Sequence, residues 1–329
     1  MEKIKIGILE IGNRANTNSM SAIEEILNHA ITCDTLGFSR FWLGEHHNTD
    51  PLAPYTNPDI LLTTIAGMTE NIRVGSAGTL ITLYDPYSVA TNFKLLNNLF
   101  NDRIDLGLSK GLPGNKYIFD LKGGHINLNN STEIFNKNVE KIHDLLYNED
   151  EYYTKYELVI PPFKGLIPSM CYLSGSYDHF PMAIKHNLNY CRTIFHGTIG
   201  SKIEYKKEEL LHYKELFFEK NNRYPEISLA VAFHMEDTIE EARKVVNEQQ
   251  NQKGLNLSEA WNTIPVTVDT LEELLHNYQK QFGIDEFILY DSSLVSEKKL
   301  ENVHKISCNF KLSNTILQQE NSNFNSVLQ

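Results

Sequence analysis

The chain has 329 residues, 41% of them apolar, so it can bury a large core at the size of one α/β barrel. Its 30 Lys and Arg against 42 Asp and Glu leave a net charge of −12, and no basic run of the nucleic-acid-binding type interrupts that acidic balance. No apolar run reaches about 18 residues and MEKIKIGILEIG lacks a signal-peptide core, so neither a membrane span nor export is expected.

Strand and helix signals alternate from the start. Lys3 to Ile11 predicts a strand. Ser21 to Leu36 predicts a helix, with Ile23, Ile26, Leu27, Ala30 and Ile31 on one face and Gly37 ending it. Arg40 to His46 is a second strand, in which Phe41 to Gly44 read as buried before Glu45, His46 and His47 follow in a row. Pro58 opens a helix through Met68. Arg73 to Leu83 is a third strand, and Asp85-Pro86 starts a helix carrying Val89, Phe93, Leu96 and Phe100 on one face. Ile104 to Leu108 is a fourth strand.

A long Gly- and Asn-rich stretch, Ser109 to Asn130, comes next; a loop of that length is usually functional. Glu133 to Tyr147 predicts a helix, and EYYTKYELVIPPF suggests an inserted hairpin. Ser169 to Leu173 is a fifth strand followed by Ser-Gly-Ser. A helix from His179 to His186 leads to a sixth strand, Tyr190 to Phe195. A polar helix, Lys202 to Lys220, reads as a solvated face. Ile227 to Phe233 is a seventh strand, Thr238 to Gln250 a helix, and Leu271, Leu274, Leu275, Tyr278 and Phe282 mark another. Glu286 to Tyr290 is an eighth strand and Ser296 to Phe310 the last helix. Cys33, Cys171, Cys191 and Cys308 form no CxxC pair, which fits reduced thiols in the cytoplasm.

Eight strands, each followed by helix, predict a (β/α)8 TIM barrel with an inserted segment, as one domain over 1–312 and a polar tail over 313–329. The rival doubly wound sheet lacks its GxGxxG after the first strand. Catalytic groups of such barrels sit at the carboxyl ends of strands. That rim would hold Glu45 and His46, Gly78 to Leu83, Ser109-Lys110-Gly111 and Ser174-Gly175-Ser176. Metal binding by Glu45, His46 and His47 is disfavoured, because adjacent strand residues face opposite sides.

RFWLGEHH, together with NIRVGSAGTLITLYDPYSVATNFKLLNNLFNDRIDLGLSKG, resembles the bacterial luciferase-like, flavin-dependent monooxygenases, most densely over Gly37 to Gly114. GIDEFILY is similar to the closing strand of that family. The resemblance implies an enzyme that takes reduced FMN from a separate flavin reductase, lets dioxygen form a flavin hydroperoxide, and oxidises a small organic substrate. It implies a homodimer in the cytoplasm, with Phe93 and Phe100 as candidate contacts. It places His46 in proton transfer, Glu45 beside it, and Ser109 near the reactive flavin edge. It places Ala77 and Gly78 against the flavin ring, where small residues allow close approach. Lys110 stands where the family commonly has a phosphate-binding Arg; lysine keeps the charge without the bidentate fork. Ser131 and Thr132 stand where a second Arg is expected. Ser176 and Tyr177 are the candidate phosphate donors after the fifth strand, with Asp178 opposing an anion. His125 and its neighbours would line or cover the pocket. A non-catalytic flavin-binding partner subunit and a deazaflavin-dependent oxidoreductase remain alternatives, and a metal-dependent hydrolase is a more distant one. Substrate identity and light emission do not follow from the resemblance.

Overall fold

The structure, a computed structural model, describes residues 4–313 apart from 16, 48–50, 114, 116, 122–125, 128, 197–205, 253–260 and 285. The strands are β1 (Lys5–Glu10), β2 (Arg40–Leu43), β3 (Arg73–Leu80), β4 (Ile104–Ser109), β5 (Ser169–Ser174), β6 (Asn189–Thr193), β7 (Ile227–Met235), β8 (Ile264–Val266) and β9 (Glu286–Asp291). The helices are α1 (Ser19–Thr35), α2 (Asp59–Met68), α3 (Pro86–Leu99), α4 (Tyr117–Leu121), α5 (Ser131–Tyr147), α6 (Glu149–Tyr156), α7 (Phe180–Lys185), α8 (Lys207–Asn221), α9 (Ile239–Gln252), α10 (Val268–Phe282) and α11 (Ser296–Phe310). Eight parallel strands run in the order β6-β5-β4-β3-β2-β1-β9-β7, and β6 pairs with β7 to close the sheet into a barrel. The fold is a (β/α)8 TIM barrel.

Local chemistry sets the helix starts. Asn18 caps α1 by accepting from the backbone N–H groups of Met20 and Ser21, each at 3.0 Å. Asp85 caps α3 through Ser88 N–H, ahead of Pro86 in the first turn. Thr267 and Thr270 form a reciprocal capping box on α10. The Asp34 carboxylate accepts from the N–H groups of Glu70, Asn71 and Ile72, which fixes the turn into β3.

Apolar side chains divide into two shells. Leu9, Trp42, Cys171, Cys191, Phe195, Ala230, Ile288 and Tyr290 fill the barrel interior. A larger cluster packs helices on the outside of the sheet, and it includes Phe93, which is 0% exposed. Phe93 therefore belongs to the core and is no surface contact; Phe100 packs partly buried against the same cluster. The amino end of the barrel is closed by ions. Arg40 Nη1 donates to Asp105 and its Nε to Glu286, both at 2.8 Å, while Asp105 also accepts from Arg73 and from Trp42 Nε1. Burial opposes the charge on Asp105, but Arg40 and Arg73 outweigh it and hold its pKa below the ordinary carboxylate value.

Several sequence expectations differ from the structure. EYYTKYELVIPPF is no hairpin: its first half lies in α6, which ends at Glu157 with a φ of 55°. Glu149, Asp150 and Glu151 in the first turn and Lys155 in the last complement the helix dipole, and buried Tyr152 anchors one face. β-prone tyrosines had suggested the opposite. The three-residue β8 was not expected; it contains Pro265 and pairs only with the end of β7, so it adds to the rim and not to the barrel. The predicted strands at Arg40 and Arg73 also end earlier, at Leu43 and Leu80. The polar helix begins at Lys207, and 202–205 lie outside the described residues, as do His125, Gly114 and 314–329.

Candidate active site

A cavity of about 870 Å³ opens at the carboxyl ends of the strands, within the range of about 300–1,000 Å³ usual for ligand pockets. Every strand of the barrel contributes to it or to the loop that follows.

β3 contributes the flat wall. Its register against β4 shifts between Ser76 and Thr79, and the Ala77–Gly78 peptide within that irregularity is cis. Ala77 faces the cavity. A Cβ on Gly78 would lie 2.5 Å from Leu173 Cδ1 and 2.8 Å from Gly107 O, so only glycine permits this approach of three strands.

After β2 the chain turns so that three consecutive polar residues separate. His46 opens onto the cavity. Glu45 stays buried behind it and is not part of the cavity wall: its carboxylate accepts from Leu80 N–H at 2.9 Å and from Tyr84 Oη, and pairs with His47 Nε2 at 2.7 Å. Loss of hydration lowers the pKa of His46; the Glu45 charge acts against this and His47 adds to it. The imidazole is therefore neutral at pH 7, able both to donate and to accept one hydrogen bond.

The polar end comes from three elements. Ser109 ends β4, and Lys110 follows with its Nζ 3.4 Å from Thr132 Oγ1. Ser131 and Thr132 are the first residues of α5, whose N-terminus faces the cavity with its partial positive charge. Ser174, Gly175 and Ser176 form the turn after β5. A Cβ on Gly175 would meet nothing nearer than Thr193 O at 3.9 Å, so the missing side chain leaves space open there. Ser176 Oγ donates to Asp178 at 2.8 Å. Tyr177 is fully buried away from the cavity, with the Arg192 guanidinium 4.9 Å from its ring centre. A flat ring bearing an anionic tail fits this arrangement: an apolar wall at Ala77, a neutral imidazole at His46, and a cation with hydroxyls at the far end. Among the described residues no group of three or more His, Cys, Asp and Glu side chains could hold a metal ion.

Sequence reading thus placed His46, Ala77, Gly78, Ser109, Lys110 and Ser176 around one cavity, and the structure brings these six together. Glu45 and Tyr177 stand behind the wall. Trp42, Phe195, His196 and Trp261 also line it and were not singled out. One signal was available for two of them: the chain has 2 tryptophans, and both face this cavity.

Comparison with known proteins agrees with the architecture. A sequence model of the luciferase-like monooxygenase family matches residues 6–285. The protein YwcH of Bacillus subtilis (strain 168) is 30% identical over 197 residues, which span 58% of this chain and 58% of that relative. The match therefore covers less than two thirds of the relative's length. Apo-MsnO8 superposes with a TM-score of 0.78 at 20% identity, over 95% of this chain and 100% of that one. The oxygenating constituent of 3,6-diketocamphane monooxygenase from Pseudomonas putida, solved in complex with FMN, gives a TM-score of 0.67 at 14% identity over 93% and 96%. At these identities the solved structures speak for the fold.

Proposed function

This chain belongs to the luciferase-like monooxygenase family, and we propose that it is the oxygenase component of a two-component system. In this reading it binds reduced FMN delivered by a separate reductase and uses dioxygen to oxidise a small organic substrate. The observation that carries the reading is one cavity holding a glycine-permitted flat wall, an uncharged imidazole and a cationic, hydroxyl-rich end.

When bound, reduced FMN supplies the electrons that activate dioxygen. The residues of this chain supply the remainder. Ala77 and Gly78 let the backbone approach the ring. Lys110, Thr132 and the Ser174–Ser176 turn hold the phosphate, with lysine acting as a point charge. His46 holds or passes a proton at its ring nitrogens. The apolar interior around Trp42 and Ile288 limits water at the reacting atoms. A homodimer in the cytoplasm accompanies this reading by family resemblance.

The deciding test is anaerobic titration with reduced FMN, followed by mixing with aerated buffer, in the wild type and in His46→Ala. Saturable binding in both proteins, with oxygen consumption coupled to substrate oxidation only in the wild type, supports the proposal. Binding with oxidation no different from that of free flavin favours a non-catalytic partner subunit. No FMN binding, with uptake of a reduced deazaflavin, favours the deazaflavin-dependent reading.

A further inference from the structure

One wall of the cavity carries aromatic residues that the proposed function gives no part in holding the flavin or its phosphate. His196 follows β6, open to the cavity, with its ring 4.5 Å from Phe195 and 5.4 Å from Trp261, edge to face with the indole at 82°. Trp261 enters from the segment before β8. Its ring centre lies 6.2 Å from His46, 4.7 Å from Phe195 and 4.6 Å from Tyr290. One indole therefore joins two imidazoles and two other aromatic rings in a continuous surface. This surface links the end of β2 to the ends of β6 and β9.

The two imidazoles are the open polar groups of this surface among the described residues, Tyr290 being bonded to Asn13. Among the described residues, neither the His46 nor the His196 imidazole has a hydrogen-bond partner, although Glu45 and His47 beside them pair with each other. Hydrogen-bonding nitrogens that face a cavity lined by aromatic rings are groups prepared for a ligand. The charge pattern narrows that ligand. No carboxylate lines the cavity among the described residues, and the single ammonium, Lys110, is engaged at Thr132. Loss of hydration lowers the pKa of His196, and His46 lowers it further, so the pair presents two neutral imidazoles at pH 7. Among the described residues an anion would find no cation on this wall, and an ammonium would find no counter-charge beyond the aromatic faces.

We propose that His196 and Trp261 hold the organic substrate, and that this substrate is an uncharged molecule with a flat apolar body carrying one hydroxyl or carbonyl that hydrogen-bonds to His196. The assignment rests on the oxygenase reading. Trp261 supplies the stacking face and His196 selects the polar group, beside the imidazole of His46.

Both tryptophans of the chain line this cavity, so intrinsic emission reports its occupancy directly. The full-length protein is titrated with 4-butylphenol, butylbenzene, 4-butylbenzoate and 4-butylbenzylamine, and separately with FMN followed by flavin fluorescence. We expect saturable quenching by 4-butylphenol, with the benzoate and the benzylamine at least tenfold weaker. His196→Phe should weaken the phenol about fivefold, the worth of one neutral hydrogen bond, and leave butylbenzene and FMN unchanged. His196→Gln, which restores a donor and an acceptor, should recover most of the phenol preference. It also serves if the Phe variant does not fold. Trp261→Phe should retain most binding, and Trp261→Ala should weaken phenol and butylbenzene alike. No saturable quenching by the phenol overturns the proposal, and so does equal or tighter binding of either charged probe. A parallel loss of FMN affinity in the His196 variants also overturns it, since the wall would then belong to the flavin. If the wild type binds the phenol but no flavin, the oxygenase reading fails while the uncharged-ligand site stands.

Discussion

At His46 the direction of neighbouring side chains decides the chemistry. Glu45 spends its carboxylate on Leu80 N–H, Tyr84 and His47, and so cannot hold the His46 ring by a direct bond. It acts through space, raising the pKa of His46 against the stronger lowering by lost hydration. A rate that needs the neutral imidazole should stay level above the ordinary histidine value and fall only at lower pH. Glu45→Gln removes the charge that favours protonation, so the acid limb of the pH–rate profile should move further down; an upward move would falsify the coupling. His46→Asn should lower turnover about 10²–10⁴-fold with little change in reduced-FMN affinity. If Lys110 holds the phosphate as proposed, Lys110→Ala should weaken FMN about tenfold or more but leave riboflavin, which lacks the phosphate, unaffected; isothermal titration with both ligands separates the cases. These residues were readable because each lies within a few positions of a strand end. Trp261 was not, since it sits more than 200 residues from His46 in a segment with no strand pattern of its own; His196 directly follows the sixth strand, but nothing around it in the sequence marked a single imidazole there as part of the site.

At the scale of elements, the helices inserted between β4 and β5 are tied to α7 by imidazoles. His186, 4% exposed, meets His143 at 5.3 Å, and His143 stacks on Tyr147 at 4.5 Å. Burial pushes His186 down from its ordinary value of 6.5 to about 4, with His143, Lys185 and Lys220 adding to the effect and Glu140 opposing it. The folded state therefore binds fewer protons than the unfolded one between those values, and stability is lost as pH falls through that window. The loss should be about 3 kcal/mol between pH 7 and pH 4. Urea midpoints should show it, and His186→Leu should flatten the dependence. Helix boundaries were legible in the sequence where a cap or glycine marked them, as at Asp85 and Gly37. They were misread at Glu149–Tyr156, where tyrosine-rich composition concealed end charges that favour a helix. A three-residue strand such as Ile264–Val266 carries too short a pattern to show any period, and its pairing is set entirely by the end of β7.

Across the whole molecule, alternating strand and helix signals were enough to give the barrel, because each strand is long and apolar enough to be recognised alone. The ion layer at its amino end was not legible: Arg40, Asp105 and Glu286 are far apart in the chain and look like surface charges. Arg40→Leu leaves Asp105 and Glu286 buried without their shared partner and should cost about 3–5 kcal/mol in a denaturant titration; replacing Asp34 by Asn, half-buried at the end of α1, should cost less. The register of closure has a consequence for synthesis. β1 is completed by β9, with Lys5 opposite Glu286, so its partner leaves the ribosome about 280 residues later. At translation speeds of roughly 5–20 residues per second, β1 waits between about a quarter of a minute and one minute with that edge unpaired. Glu286, which opens β9, also supplies the last carboxylate to Arg40. The newborn chain therefore gains its closing strand and its final buried counter-charge together, and until then it depends on whatever shields an open sheet edge during translation.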